Sequence, residues 1–391
     1  MMRRLFCYTL ACLLLAFLPG ACGKFVHETA DTTSAPVSFH TPVVGVATKA
    51  GVTDEVIGVS YDTRESFRAF AAYSAGDFNS SNPSSYTEFF PSAGIACSWD
   101  SGVNAWKPAS PYYWPYAGKL TFQAMSPADA GNNMTSLAHN WSSGFTFTGF
   151  QVPAAGSQYD LLYTDRIENR ERAQYTSGYP YDETADDQGD YNGIDLAFKH
   201  ALCQVEFRFG HPMDEESSLK FWLTKIRILN AYSQGDFASS TPAWSNQATE
   251  TNYQVCYFWD GDLERPAGTV PLNGSGAPVT LTGVQGVHTM MLLPQALDHG
   301  GGHHVKLEIT YCYGTALSNT TLVTVPIDLV ADGAGGGYFK DTGGDDIDEW
   351  EIGKKYIYTL SIQATNLFQI FLDPSVSSTW TSANGNIDIT N

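Results

Sequence analysis

The chain has 391 residues, too many for one ordinary β-domain, and this length favours two domains of usual size. Its 41 acidic residues against 21 basic ones give a net charge of −20, which argues against nucleic acid or an anionic membrane surface as a partner. Low charge together with many aromatic, Gly, Ser and Thr residues suits a place outside the cell.

The first residues agree with that placement. "MMRR" followed by "LFCYTLACLLLAFLPGAC" reads as a signal peptide over 1–21, with a short basic region and an apolar run. The run is near the lower limit for a membrane-spanning helix, but Pro19, Gly20 and Ala21 lead directly into Cys22. Cleavage before Cys22 and acylation of its thiol resembles the bacterial lipoprotein pattern, although Pro19 stands where that pattern prefers an aliphatic residue. The alternative is a cleaved secretory signal without an anchor. Residues 22–35 are small and polar and read as a stalk.

"PVSFHTPVV" at 36–44 then begins the folded part as a predicted strand, with Val37, Phe39 and Val43 facing inward. "SFRAFAAY" at 66–73 alternates, as do "HVKLEITYCY" at 304–313 and "KYIYTLSI" at 355–362. Clusters of Gly, Asn, Asp, Ser and Pro separate such segments, and no long amphipathic helical pattern appears. The expected fold class is all-β, most simply two β-sandwiches.

A repeat supports two halves. "AYSAGDFNSSNP" at 72–83 and "AYSQGDFASSTP" at 231–242 share nine of twelve residues at an offset of 159, and the same offset lays Val37 on Leu196 and Phe39 on Phe198. The acidic stretch "YDETADDQGDYNG" at 181–193 reads as a linker. The chain is therefore divided into an N-terminal sandwich over 36–193 and a C-terminal one over 194–391. At the division "IDLAFKHALCQVEFRF" changes phase, with apolar side chains on even positions up to Phe198 and on odd ones from Cys203. The slip at His200 reads as a bulge or bend, with the histidine hydrogen-bonded at a joint.

Candidate sites each carry a plain alternative. Tyr113 and Trp114 in "SPYYWPYAGKL" could stack on sugar rings, or pack within the sheets. His299, His303 and His304 could hold a transition metal, but Gly300, Gly301 and Gly302 between them make a hairpin turn the preferred reading. The carboxylates of "DDQGDYNGID" and "KDTGGDDIDE" lack the spacing of a calcium loop and read as solvated loops, so neither metal nor cofactor is expected. Cys97, Cys203, Cys256 and Cys312 lie in separate segments, as buried thiols or, alternatively, as a disulfide framework. No GxSxG, HExxH or phosphate-binding loop points to an enzyme.

"YYWPYAGKLTFQAMSP" at 112–127, "LAFKHALCQVEF" at 196–207, "MMLLPQAL" at 290–297 and "WEIGKKYIYTLSI" at 350–362, in that order behind a lipoprotein-like start, resemble the fimbrillin family. That resemblance implies two tandem transthyretin-like (Ig-like Greek-key) β-sandwich domains and a role as a structural or accessory (tip or anchor) subunit of a surface fimbria. It further implies attachment to outer-membrane lipid through Cys22, with other fimbrial subunits as partners. A protease specific for Arg or Lys would cut after the first strand, here at Lys49 in "GVATKAGVT" or failing that at Arg64. The slot left by Val37, Phe39 and Val43 would then accept a terminal strand of the next subunit. "GNIDITN", with Ile387 and Ile389 on one face, is the candidate donor, or else pairs within its own domain. The competing expectation is a monomeric surface lipoprotein that binds a glycan, host or bacterial ligand through exposed aromatics.

Overall fold

A computed structural model of the chain describes residues 35–39, 43–44, 66–100, 105–154, 157–175, 193–209, 220–257, 270–271, 279–280, 290–316, 319–330, 337–363 and 369–377. Among them the structure is strand and turn, with helix limited to 3-10 turns at Pro83–Ser85, Ala130–Asn133 and Arg172–Tyr175. The all-β expectation holds. The alternating stretches become the strands Phe67–Ser74, Lys306–Ala316 and Lys355–Gln363.

Three sheets carry most of the chain. The first runs Val43–Val44, Ala197–His200, Leu162–Thr164, Lys119–Ser126, Phe67–Ser74, Ile95–Asp100 and Ala105–Pro108. The second runs Asn319–Asp328, Lys306–Ala316, Lys220–Ala238, Gly144–Gln151 and Ser136–Asn140, with Ala243–Tyr257 also paired to Lys220–Ala238. The third runs Val279–Thr280, Cys203–Phe209, Lys355–Gln363 and Gln369–Ser377.

Both faces of the first sheet are buried, each in its own apolar cluster. Phe67, Ala69 and Ala71 on one face of their strand join Leu120, Phe122 and Ala124 around Val37 and Phe39. Phe70 and Ala72 on the opposite face join the larger cluster, which also takes Phe145, Phe147, Val205, Ile226 and Tyr358. A strand with period two and apolar residues at nearly every position is what this double burial requires. "FAAYS" supplies them.

Two pairings cross the position at which the sequence divides the chain. Gln234–Ala238, at the end of a 19-residue strand, pairs antiparallel with residues of Gly144–Gln151. Ala197–His200, placed by the sequence at the head of the C-terminal half, pairs antiparallel with Leu162–Thr164 and parallel with Val43–Val44. Residues 35–391 accordingly cluster as one unit.

The phase slip, read from the sequence as a bulge or bend, is a crossover between two sheets. Ile194, Leu196 and Phe198 are buried in the cluster around Phe39, whereas Cys203, Val205 and Phe207 are buried in the larger one. Ala201 and Leu202 carry the chain from the first sheet to the third, and their phase changes because the face to be buried changes. His200 sits at this joint, its Nδ1 2.7 Å from Oδ2 of Asp160, with both side chains close to fully buried.

The repeat takes two conformations. Its first copy leaves the strand at Ser74 and bends, while its second stays extended to Ala238. Both copies nevertheless deliver the corresponding phenylalanine, Phe78 and Phe237, to the same core.

Candidate functional site: the first-strand slot

The segment Ala35–Phe39, continued by Val43–Val44, lies between two borders of the first sheet. On one side the Phe39 N–H donates to the Trp106 carbonyl at 2.8 Å and the Trp106 N–H donates back at 3.1 Å. The Val37 N–H donates to the Tyr112 carbonyl at 2.7 Å, and the Trp114 N–H to the Ala35 carbonyl at 2.9 Å. On the other side the Ile194 N–H donates to the Ser38 carbonyl at 3.0 Å, and Val43 and Val44 run parallel to Ala197 and Phe198. Trp106 and Ala197–Phe198 lie at opposite ends of the sheet order, so this one segment bridges them and closes the sheet.

The side chains follow the backbone. Val37 and Phe39 are 1% and 0% exposed. The Phe39 ring meets Phe67 at 5.2 Å and Phe122 at 5.8 Å, both edge to face, the arrangement that aromatic quadrupoles favour. Phe67 in turn packs on Trp106 at 5.6 Å and Phe198 at 6.0 Å. Alternation at 37 and 39 thus fills a socket lined by four strands. Cys97 lies directly across the ladder from Phe67 and is fully buried; burial pushes its thiol well up from the usual value.

Of the other expected first-strand anchors, Val43 is placed by its backbone register with Ala197. Cys22, Lys49, Arg64, Ile387 and Ile389 lie outside the described residues. Trp114 is 4% exposed and stacks edge-on against Phe122 at 5.9 Å, so it has no open face for a sugar, and Tyr113 is half-buried. Tyr116 in the same stretch is 67% exposed, with the Arg172 guanidinium 4.4 Å from its ring. Sequence reading passed over Tyr116, and it also passed over Trp106, whose strand Ala105–Pro108 is too short to show alternation.

The histidine-rich stretch is a turn, with Gly300, Gly301 and Gly302 all at positive φ. His299 stacks on Tyr232 at 3.8 Å, its Nδ1 facing Glu250 Oε1 at 3.2 Å and its Nε2 facing Gln295 Oε1 at 3.3 Å. Gln295 Oε1 also accepts from the Tyr232 N–H, and its Nε2 donates to the Leu293 carbonyl, which fixes the amide orientation. Both nitrogens of His299 are therefore turned to oxygen acceptors. His304 Nδ1 lies 3.0 Å from Asp328 Oδ2; burial raises the Asp328 carboxyl, but bonds from His304, the Val330 N–H and Lys306 outweigh it and hold the group below its ordinary value. Cys97 and Cys203 are buried free thiols, Cys312 is buried, and the side chain of Cys256 lies outside the described residues. Among the described residues no helix is long and apolar enough to cross a membrane.

A fimbrial protein from Bacteroides vulgatus shares this fold, with a TM-score of 0.57 at 14% identity over 88% of this chain and 99% of that one. The tip fimbrial protein Mfa3 from Porphyromonas gingivalis aligns at a TM-score of 0.35 and 11% identity, over 80% of this chain and 94% of that one. No curated protein matches the sequence. The model of the family described as fimbrillin-like matches residues 70–378. The chain belongs to the fimbrillin-like family, a family of fimbrial proteins and not of enzymes.

Proposed function

We propose that this chain is a structural or accessory (tip or anchor) subunit of a fimbria assembled by β-strand exchange and supporting adhesion. It is exported as a lipoprotein held in the outer membrane through acylated Cys22. Cleavage after Lys49, or after Arg64, severs the first strand, and a strand of the next subunit, with Ile387 and Ile389 as candidate anchors, refills its place. The observation that carries this reading is the closing segment, Ala35–Phe39 with Val43–Val44, which is paired on both borders and fills the socket with Val37 and Phe39. Its departure leaves unpaired backbone groups on two edges and an apolar pocket between them, and another extended strand satisfies both at once.

The test treats the purified chain with a Lys/Arg-specific protease. The expected products are a new N-terminus at Ala50, multimers on gels run without denaturant, and loss of both in the Lys49→Gln, Arg64→Gln double variant. A chain that is cut but stays monomeric and keeps its first strand would sink the proposal. Tyr116 favours a second reading, a monomeric surface protein that stacks a glycan on this exposed ring. Binding to a glycan array that disappears with Tyr116→Ala is the outcome that reading requires.

A further inference from the structure

Among the described residues of the cluster around the first-strand slot, one buried polar side-chain atom stands without a partner. Trp106 is 2% exposed, and its indole Nε1–H has no hydrogen-bond partner among the described residues. Trp106 is also the residue directly opposite Phe39, since the two exchange both backbone hydrogen bonds. In such a pair the residues two positions away on the same face are diagonal neighbours, roughly 7–8 Å off and within reach of an indole. Val37 holds one of those positions, is fully buried, and has no side-chain acceptor. The resident strand thus fills the socket well by shape while leaving a buried donor unsatisfied, a defect that weighs about five- to a hundredfold in an equilibrium.

Resting on the strand-exchange reading above, we infer that Trp106 selects the strand that replaces the resident one. The preferred partner is an extended segment of another subunit with an aromatic or aliphatic anchor in place of Phe39 and a short hydrogen-bond acceptor (Thr, Ser, Asn or Asp) two residues from it, in place of Val37. Such a segment keeps the apolar contacts and pairs the indole N–H. The resident strand is then a placeholder, weaker than its successor by one hydrogen bond in a buried site. This gives exchange a direction without any external energy source.

The experiment uses the full chain cut after Lys49 by a Lys-specific endopeptidase. It is offered fluorescent ten-residue peptides of the resident sequence APVSFHTPVV and of its V37T and V37N versions. Capture of at least one acceptor-bearing peptide about fivefold or more tightly than the resident sequence is expected. That preference should vanish in Trp106→Phe. Should this variant fold poorly, a chain in which sulfur replaces the indole N–H of Trp106 makes the same test with the ring's shape kept. Capture of all three peptides within about twofold of one another would overturn the role of Trp106 and leave strand exchange standing, since one hydrogen bond is worth more than that. If no peptide is captured and Cys97 stays protected from thiol reagents after the cut, strand exchange and the inference fall together.

Discussion

Replacing Phe39 by alanine removes the ring that holds the closing segment against Phe67 and Phe122. A fully buried phenylalanine truncated to alanine costs about 3–5 kcal/mol. If the segment opens as a local unit, this whole amount is subtracted from the free energy of that opening. At about 1.4 kcal/mol per tenfold, the opened population rises from about a hundredfold to a few thousandfold. Cys97, across the ladder from Phe67, reports that opening, because a buried thiol reacts only when it reaches water and ionises. Cys203 is the internal control: it lies in the larger cluster, on the far side of the first sheet. Pulse labelling with a maleimide, followed by mass spectrometry of the two peptides, should show the Cys97 rate rising by that factor while Cys203 is unchanged. A parallel rise of both would mean that the fold opens as one body, and an unchanged Cys97 would mean that Phe39 does not hold the slot shut. Either result would refute the reasoning.

Three further outcomes follow from the packing. His139 stacks on Phe70 at 4.2 Å and faces Gln123 Oε1 at 3.0 Å, and burial pushes its pKa down from 6.5 to about 4. The unfolded chain therefore binds the extra proton first, and stability at neutral pH is lost as pH falls from about 6.5 to about 4, by about 3 kcal/mol in all. Urea midpoints across that range should lose this component in His139→Phe, and an identical pH slope in the variant would contradict the assignment. Asp160→Ala removes the carboxylate that faces His200 at the crossover, and leaving a buried hydrogen-bonding group without that partner costs about 1–3 kcal/mol; a loss well below about 1 kcal/mol by thermal denaturation would show that the contact does not hold the joint. Gly149 has φ +60°, its N–H donates to Asp236 Oδ1 at 2.6 Å, and a Cβ there would lie 2.4 Å from Thr135 Oγ1. Gly149→Ala should destabilise the chain by about 1–3 kcal/mol in the same assay, and a neutral result would argue against this close approach.

Much of the strand content was legible because alternation is local. Val305, Leu307, Ile309 and Tyr311 declare one face without reference to any other part of the chain, and the three consecutive glycines declare the turn before them. Pairing was not legible in the same way. Nothing near Phe147 in the sequence announces that it will lie opposite Phe237, because long-range register is set by which faces must be hidden together. The slip at His200 shows the limit clearly: two phases reveal that two faces are buried, but only the sheets say that the faces belong to different layers. Phe39 was readable as a core residue from its neighbours, whereas Trp106, in a four-residue strand, gained its meaning only from the partner opposite.

The closing segment runs antiparallel to Trp106 on one border and parallel to Ala197 on the other. A strand entering the vacated place in either direction would again meet one neighbour of each kind, so the backbone ladder alone discriminates weakly between head-first and tail-first insertion. The asymmetry that remains is the pair of unequal sockets for Val37 and Phe39. In a chain of such subunits the handed order from base to tip would be encoded by side-chain volume, and a single exchange of large for small along the incoming strand would be enough to misdirect it.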